Sequence, residues 1–151
     1  MASGEIMALR GELKGHSDWV TCIATSETKP DLLVTGSRDR SVIAWRLTGD
    51  AETLAVPERR LTGHKHFVSD VQLSQDGAYA ISASWDGSAR LFDIKTGESE
   101  KFFAGAKKDL LSVAFSADNR QVCFRPSSSR RGVFSSSPSS PRILTPHFPP
   151  L

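Results

Sequence analysis

The segment GHKHFVSDVQLSQDGAYAISASWDGSARLFD, residues 63–93, decides how this chain folds. Its first twelve residues align without gaps with GHSDWVTCIATS, which starts at Gly15, and with GAKKDLLSVAFS, which starts at Gly105. The starting glycines are 48 and 42 residues apart. A second block recurs in the first two units in the same order, as VTGSRDRSVIAW at 34–45 and ISASWDGSARLF at 81–92. The chain is therefore built from repeats of one unit.

The spacing and end points of these blocks identify the kind of repeat. A period near 40–45 residues, with Gly-His at one end and Trp-Asp at the other, is the WD-repeat signature. Apolar residues alternate in short segments bounded by turn residues, as in strands, and no segment sustains the helical period of 3.6 residues. The predicted inner strands lie at 20–25, 68–73 and about 110–116. Further strands are predicted at 32–37, 41–47, 59–62, 78–84, 88–94 and 98–103.

These patterns predict an all-β fold, a partial WD-repeat β-propeller of about two and a half four-stranded antiparallel blades. The propeller part is expected over residues 1–122, with repeats at about 9–48, 59–95 and 101–122. Residues 9–13 are expected to be the outer strand of a further blade whose other strands are absent. Because blades bury their apolar faces only against neighbours, we expect the chain to self-associate.

The composition changes at about residue 123. Eight of the 29 residues in 123–151 are serine and six are proline, out of eight prolines in the chain. Proline removes backbone donors and serine buries little apolar area, so this segment is predicted to be a disordered tail. We also expect a second strand of the third blade to stop at Pro126, because a central strand does not tolerate proline.

The net charge of +2 conceals an uneven distribution of charge. Residues 123–151 hold four arginines and no acidic residue, so residues 1–122 hold 15 basic and 17 acidic residues, a net charge of −2. Any contact with nucleic acid in the propeller part must therefore come from a local patch. No apolar segment is long enough to span a membrane, and the N-terminus lacks a secretory pattern. We expect a cytoplasmic protein.

Buried polar side chains are expected at fixed places in each repeat. A histidine before the inner strand can donate to an aspartate in the second tight turn, and a serine or threonine can join that histidine to an indole N–H. The candidates in the first blade are His16, Thr35, Asp39 and Trp45. In the second blade they are His64, Ser82 and Asp86, with Phe92 in the indole position. In the third repeat Ala106 stands in place of the histidine.

The same residue types also occur in nucleophilic catalytic triads. A catalytic site occurs once, whereas this set recurs in successive repeats, so we interpret it as structural and predict that the protein is not an enzyme. The sequence has no Gly-rich phosphate loop, metal-ligand spacing or carboxylate pair, and neither Cys22 nor Cys123 matches a redox or metal motif. We therefore predict no cofactor and no metal, and expect Cys22 to be a buried thiol.

With these blocks, residues 5–122 resemble the receptor for activated C kinase family, also described as guanine-nucleotide-binding-protein β-subunit-like WD proteins. The segments that carry the resemblance are LRGELKGHSDWVTCIAT (9–25), SRDRSVIAWRLT (37–48), RRLTGHKHFVSDV (59–71), SWDGSARLFD (84–93) and KDLLSVAFSADNRQV (108–122). The resemblance implies a seven-bladed propeller on the small ribosomal subunit near the messenger exit. It also implies a non-enzymatic scaffold that binds signalling proteins, including protein kinase C, and links them to translation.

The resemblance also implies contact residues. Arg38 and Arg40 flank Asp39 in a tight turn, where both are expected to point to solvent and to meet ribosomal RNA phosphates. The basic residues expected to extend this patch are Lys14, Arg59 and Lys65. Trp85 occupies the turn position of Arg38 and is either an anchor for a protein partner or a ring packed on its own blade. Trp19 and Phe67 are interpreted as packing residues.

Two departures from the family pattern leave alternatives open. The pattern stops after Val122, and such an abrupt change is typical of a retained intron or a frameshifted gene model, which we favour over an evolved tail. The second departure is Ala106. The alternatives to a ribosome-associated scaffold are a general WD-repeat adaptor without ribosome binding and a truncated gene-model product with no independent function.

Overall fold

The computed structural model of the protein describes residues 9–50, 52–104, 109–127, 133–136 and 143–144. They form three four-stranded antiparallel sheets, and the predicted all-β class is confirmed. The first sheet comprises β1 (Val20–Thr25), β2 (Leu32–Ser37), β3 (Val42–Leu47) and β4 (Ala55–Leu61). The second comprises β5 (Val68–Leu73), β6 (Tyr79–Ser84), β7 (Ser88–Asp93) and β8 (Ser99–Ala104). The third comprises β9 (Leu110–Phe115), β10 (Gln121–Pro126), β11 (Val133–Ser136) and β12 (Ile143–Leu144).

Each sheet is a meander in which strands follow one another in chain order. The inner strands β1 and β5 begin and end at the residues predicted from the repeat, and so does β2. Strand β9 begins at the predicted residue and ends one residue before the predicted end at Ser116. The predicted outer strands at 59–62 and 98–103 correspond to the longer β4 and to β8. Residues 9–19 form no strand, so the strand predicted at 9–13 is absent.

The sheets pack face to face as propeller blades do, and two apolar clusters lie between them. The cluster between the first two sheets joins residues such as Val34, Val42 and Leu61 to Val68 and Phe92. The cluster between the second and third sheets joins residues of β6 and β7 to residues of β9 and β10. Its buried members are Ile81, Ala83, Ala89, Leu110, Val113, Val122 and Phe124. The second sheet is thus covered on both faces, which explains why β6 is buried at five successive positions.

A β-bulge in the inner strand ties each blade to the next. The pairing register shifts at Thr21 in β1 and at Ser69 in β5. The Thr21 hydroxyl lies 2.6 Å from the carbonyl oxygen of Val68, and the Ser69 hydroxyl lies 2.6 Å from that of Leu110. Each hydroxyl is also 3.1 Å from a carbonyl of its own blade. These bulges turn a side-chain hydroxyl toward the neighbouring blade.

The segment after Val122 differs from the predicted disordered tail. Strand β10 continues to Pro126, with Val122, Phe124 and Pro126 buried on one side of the strand. Pro126 is accommodated because it lies beyond the residues that pair with β11 and follows a register irregularity against β9. Two short strands, β11 and β12, complete the third sheet. The rest of 123–151, and Ala106, lie outside the described residues.

We predict that Val68→Ala weakens the contact between the first two blades and lowers the free energy of unfolding by about 2 kcal/mol. Val68 is fully buried, and a β-carbon placed on Gly36 would lie 2.6 Å from its Cγ1, so the two residues are in close contact. Val56→Ala removes the same atoms from a side chain that is 45% exposed and should change stability by less than about 0.5 kcal/mol. Equal losses measured by urea denaturation would contradict this packing.

Candidate functional site

In the first blade, the structure brings His16, Thr35, Asp39 and Trp45 together. His16 Nδ1 lies 2.9 Å from Oδ2 of Asp39, and His16 Nε2 lies 2.7 Å from the hydroxyl oxygen of Thr35. The indole Nε1 of Trp45 donates to the same hydroxyl at 2.8 Å. With Nδ1–H donating to the carboxylate, Nε2 accepts the Thr35 proton, and every member of the chain has a partner.

The second blade repeats this arrangement without its last donor. His64 Nδ1 lies 3.2 Å from Oδ2 of Asp86, and Nε2 lies 2.7 Å from the Ser82 hydroxyl oxygen. Phe92 occupies the indole position and meets the edge of the His64 ring, with the ring centroids 6.5 Å apart. The Ser82 hydroxyl therefore lacks the indole donor that Trp45 supplies in the first blade.

The two carboxylates are held ionised by the groups around them. Burial alone would raise the pKa of Asp39, but hydrogen bonds from the Ser41 hydroxyl, His16 and the backbone amides of Ser41 and Ser17 outweigh it and hold the pKa well below its usual range. For Asp86, burial is likewise outweighed, chiefly by the Ser88 hydroxyl and the Lys65 amide. Burial lowers the pKa of His64, against the attraction of Asp86.

This geometry suits a structural role. The hydroxyl groups in the nucleophile position belong to Thr35 and Ser82, which are 5% and 0% exposed. Both hydroxyl oxygens are therefore shielded from solvent and bonded to histidine inside their blades. The networks join the loop before the inner strand to the turn between the second and third strands, and both described histidine–aspartate pairs do so in the same way.

The Arg38–Arg40 turn lies directly over the first network. The Ser37 and Asp39 side chains fix it: the Asp39 amide donates to the Ser37 hydroxyl at 3.1 Å and the Ser41 amide donates to Asp39 Oδ1 at 2.9 Å. Arg40 is exposed and has a left-handed backbone, with φ of 69°. Arg38 differs from the expectation that both arginines point freely to solvent. It is half-buried, because its guanidinium lies over two aromatic rings.

Those two rings belong to Trp19 and Phe67. The guanidinium carbon of Arg38 lies 5.0 Å from the ring centroid of Trp19 and 4.4 Å from that of Phe67. Trp19 was interpreted as a packing residue, but its side chain is on the surface, with 72% of the residue exposed. Trp85 was predicted to be either an exposed anchor or a ring packed on its own blade, and it shows features of both. It is 44% exposed, and its ring stacks on His66 with centroids 6.0 Å apart.

The other predicted basic residues do not all join the turn. Lys14 is exposed, and its Nζ lies 3.9 Å from Oε2 of Glu12. The backbone amide of Lys65 donates to Oδ2 of Asp86 in the second blade. Arg59 packs toward Gly97, in the β7–β8 connection, and so lies toward the opposite end of the strands. Its neighbour Arg60, which the sequence analysis missed, is the residue beside the turn. Arg60 Nη1 lies 4.0 Å from Asp39 Oδ2, and Nη2 donates to the carbonyl of Gly15.

Other kinds of site find no support among the described residues. In that part of the chain, no group of three or more His, Cys, Asp and Glu side chains is placed to hold a metal ion. The described segments also contain no helix with the length and apolarity needed to cross a membrane. Cys22 is half-buried rather than fully buried, and its burial raises the pKa of the thiol to about 11, so the thiol is protonated at neutral pH.

Comparison with known families agrees with this architecture. The family model described as WD domain, G-beta repeat, matches residues 7–46 and 55–93, which together make up more than half of the chain. The chain therefore belongs to the WD-repeat family. The matched ranges contain both histidine–aspartate networks and the Arg38–Arg40 turn.

The curated relatives place the chain within a narrower group of similar proteins. It is 54% identical to the small ribosomal subunit protein RACK1 of Saccharomyces cerevisiae over 98 residues, 65% of this chain and 31% of that protein. Identity to the protein of the same name in Candida albicans is 50%, over 68% of this chain and 33% of the relative. Identity to the cross-pathway control WD-repeat protein 2 of Flammulina velutipes is 52%, over 68% and 32%. The predicted resemblance is confirmed, and the chain spans about a third of the length of these relatives.

Since burial lowers the pKa of His64 in the folded state, we predict that acid destabilises the protein before carboxylates titrate. The unfolded chain binds a proton at this histidine at a higher pH than the folded chain does, so the free energy of unfolding falls as the pH drops below about 6.5. Urea unfolding between about pH 7 and pH 5.5 should show this slope, and His64→Gln should flatten it.

Comparing the two proteins at each pH isolates the histidine. Asp70 has a pKa raised by burial and acts in the opposite direction, because its folded form holds the proton more tightly, but it is common to both proteins. The lowered pKa values of Asp39 and Asp86 remove stability only at lower pH, as the pH falls through the ordinary aspartate range and below it. An unchanged slope in His64→Gln would show that His64 is not held neutral.

Proposed function

We propose that this chain acts as a non-enzymatic scaffold that associates with the small ribosomal subunit through phosphates of ribosomal RNA. The observation that carries the proposal is the Arg38–Arg40 turn, which presents two arginines at one end of the first blade above a buried aspartate. A guanidinium donates two parallel N–H groups to a phosphate, which suits arginine better than lysine to this role.

The electrostatics of the turn favour an anionic partner. Asp39 lies between the two arginines in sequence, but its carboxylate is occupied by donors from His16, Ser17 and Ser41. Arg60 adds a third cation 4.0 Å from that carboxylate. Because the propeller part has a net charge of −2 in sequence, this local excess of positive charge is what would attract RNA.

Similarity supports the ribosomal assignment. Two of the relatives are named small ribosomal subunit proteins, and their similarity to this chain covers about two thirds of it. By this resemblance we propose a cytoplasmic, ribosome-associated role in which bound signalling proteins, including protein kinase C, are linked to translation. The histidine–aspartate networks serve that role by fixing the turns, without a catalytic step.

A general WD-repeat adaptor without ribosome binding is the second candidate. The observation that favours it is the surface aromatic Trp85, because partly exposed tryptophans are common anchors in protein interfaces. The turn that follows Trp85 carries Asp86 and Gly87 and no arginine, so it offers a protein partner an apolar contact without a phosphate contact. The two candidates therefore depend on different turns.

Reversing the charge of the arginine turn should release the protein from ribosomes. We predict that the double change Arg38→Asp, Arg40→Glu weakens co-sedimentation with salt-washed small ribosomal subunits at least about 10-fold, because each lost charge-assisted contact costs about 1.5–3 kcal/mol. Binding of the unaltered chain should also weaken steeply as salt is raised, because phosphate contacts release counterions.

The matched control is the double change Arg59→Asp, Lys95→Glu. It alters the net charge equally, but both residues line a cleft that also contains Gly77 and Ala78, in the β5–β6 connection at the other end of the strands. This control should bind ribosomes as the unaltered chain does. Equal loss in both variants would attribute binding to overall charge, and retention by the Arg38/Arg40 variant would favour the adaptor.

A further inference from the structure

Trp19 is the most exposed aromatic side chain among the described residues, and it stands beside the arginine turn. Its position is fixed by the backbone: its carbonyl accepts from the Arg38 amide at 2.9 Å and its amide donates to Asp18 Oδ1 at 2.7 Å. One side of the indole meets the Arg38 guanidinium. With 72% of the residue exposed, most of the ring surface remains open to a ligand.

Arg38 and the neighbouring aromatic rings are in successive contact across the first two blades. Arg38 lies over Trp19 of the first blade and over Phe67 of the second, and Phe67 in turn lies 5.8 Å from the Trp85 ring, centroid to centroid. A guanidinium held by its faces keeps the N–H groups at its edge for hydrogen bonds. The aromatic rings thus hold Arg38 in place while Trp19 offers a flat apolar surface next to it.

We infer that Trp19 is a stacking platform for an unpaired base of single-stranded RNA whose flanking phosphates are bound by Arg38 and Arg40. This inference rests on the proposed contact with ribosomal RNA and deepens it by naming the form of RNA that fits. A base can stack on an aromatic ring only where it is unpaired and splayed out, and an arginine beside the ring then meets the adjoining phosphate. A duplex offers phosphates to the arginines but hides its bases from Trp19.

The charges around Trp19 favour RNA over a protein partner. Arg38 and Arg40 lie in the adjoining turn and outnumber the one acidic neighbour in sequence, Asp18, which accepts the Trp19 amide on one carboxylate oxygen. Trp85 is the internal comparison, since it is also partly exposed but stacks on His66 and is followed by a turn without arginine. Stacking of a base beside a phosphate contact is therefore expected at Trp19 and not at Trp85.

The test uses the full chain and three RNA probes of about ten nucleotides, a length within the range of single-strand binding sites. They are single-stranded oligoadenylate, the duplex of oligoadenylate with oligouridylate, and an abasic ribose-phosphate oligomer. Affinities are measured by fluorescence anisotropy for the unaltered chain, Trp19→Leu, Trp19→Phe and Trp85→Leu. Thermal melts of each variant, followed by circular dichroism, show that the sheets are intact.

Trp19→Leu should bind the single strand about 5- to 150-fold more weakly, the range that loss of one stacked base gives. It should bind the duplex and the abasic oligomer much as before, because Phe67 still lies over the Arg38 guanidinium. Trp19→Phe should retain most of the single-strand affinity, and Trp85→Leu should be unchanged. Equal weakening toward all three probes would show that Trp19 only positions Arg38 and would overturn the inference. Unchanged binding of the single strand by Trp19→Leu would also overturn the inference.

The failure of the underlying proposal gives a different result. If Arg38 and Arg40 do not bind RNA phosphates, the Arg38→Asp, Arg40→Glu variant binds the abasic oligomer as the unaltered chain does, or no variant binds any probe. If only the stacking inference is wrong, that variant loses all three probes while Trp19→Leu shows no preference among them.

Discussion

A carboxylate buried at the turn between β2 and β3 is the interaction on which the first blade depends. Asp39 receives hydrogen bonds from His16, from the amides of Ser17 and Ser41 and from the Ser41 hydroxyl. Removing a carboxylate from water is costly unless such donors replace the solvent. Because these donors come from the loop before β1 as well as from the turn itself, satisfying the charge fixes both segments at once. The turn that carries Arg38 and Arg40 on either side of Asp39 is thereby held in a fixed position.

Repetition extends this local constraint to the whole domain. Asp86 is held in the same way in the second blade, and the hydroxyls of Thr21 and Ser69 connect neighbouring blades through the inner strands. Apolar clusters fill the spaces between the sheets. The first two blades are each stabilised within themselves by a polar network, and neighbouring blades are held together by apolar contact, as in other repeat folds. The proposed contacts lie in the turns, where residues vary between blades: Arg38 in the first and Trp85 in the second.

The parts of the fold that could be predicted from the sequence are those that recur. The alignment of three blocks predicted the inner strands β1, β5 and β9, and the histidine and aspartate positions were read from the same blocks. Thr21 and Ser69 also occupy one column of that alignment, so a repeated small hydroxyl was an available signal for the contacts between blades. The fragmentary similarity to the RACK1 proteins was evident from the same segments.

The features that could not be predicted depend on local irregularity. Arg59 and Arg60 are adjacent, and strand alternation predicts which sheet face each side chain occupies. A bulge in β4, where Ala44 pairs with Arg59 but Trp45 pairs with Pro57, disturbs that alternation. Trp19 meets Arg38 through a contact between a loop and a turn, which the repeat pattern does not reveal. Strand β10 continues past Val122, where the Phe124 ring packs against the Phe103 ring of the second blade. Amino-acid composition does not reveal this contact.

The central claim is that histidine and aspartate act as one structural unit, and a double-mutant cycle on His16 and Asp39 tests it most directly. The free energy of unfolding is measured for the unaltered chain, for His16→Ala, for Asp39→Ala and for the double variant. Each single change leaves a buried polar group without its partner, so the losses should be non-additive by about 0.5–3 kcal/mol, as for residues in one hydrogen-bond network. Additivity within about 0.5 kcal/mol would contradict the account, because the two side chains would then stabilise the blade independently.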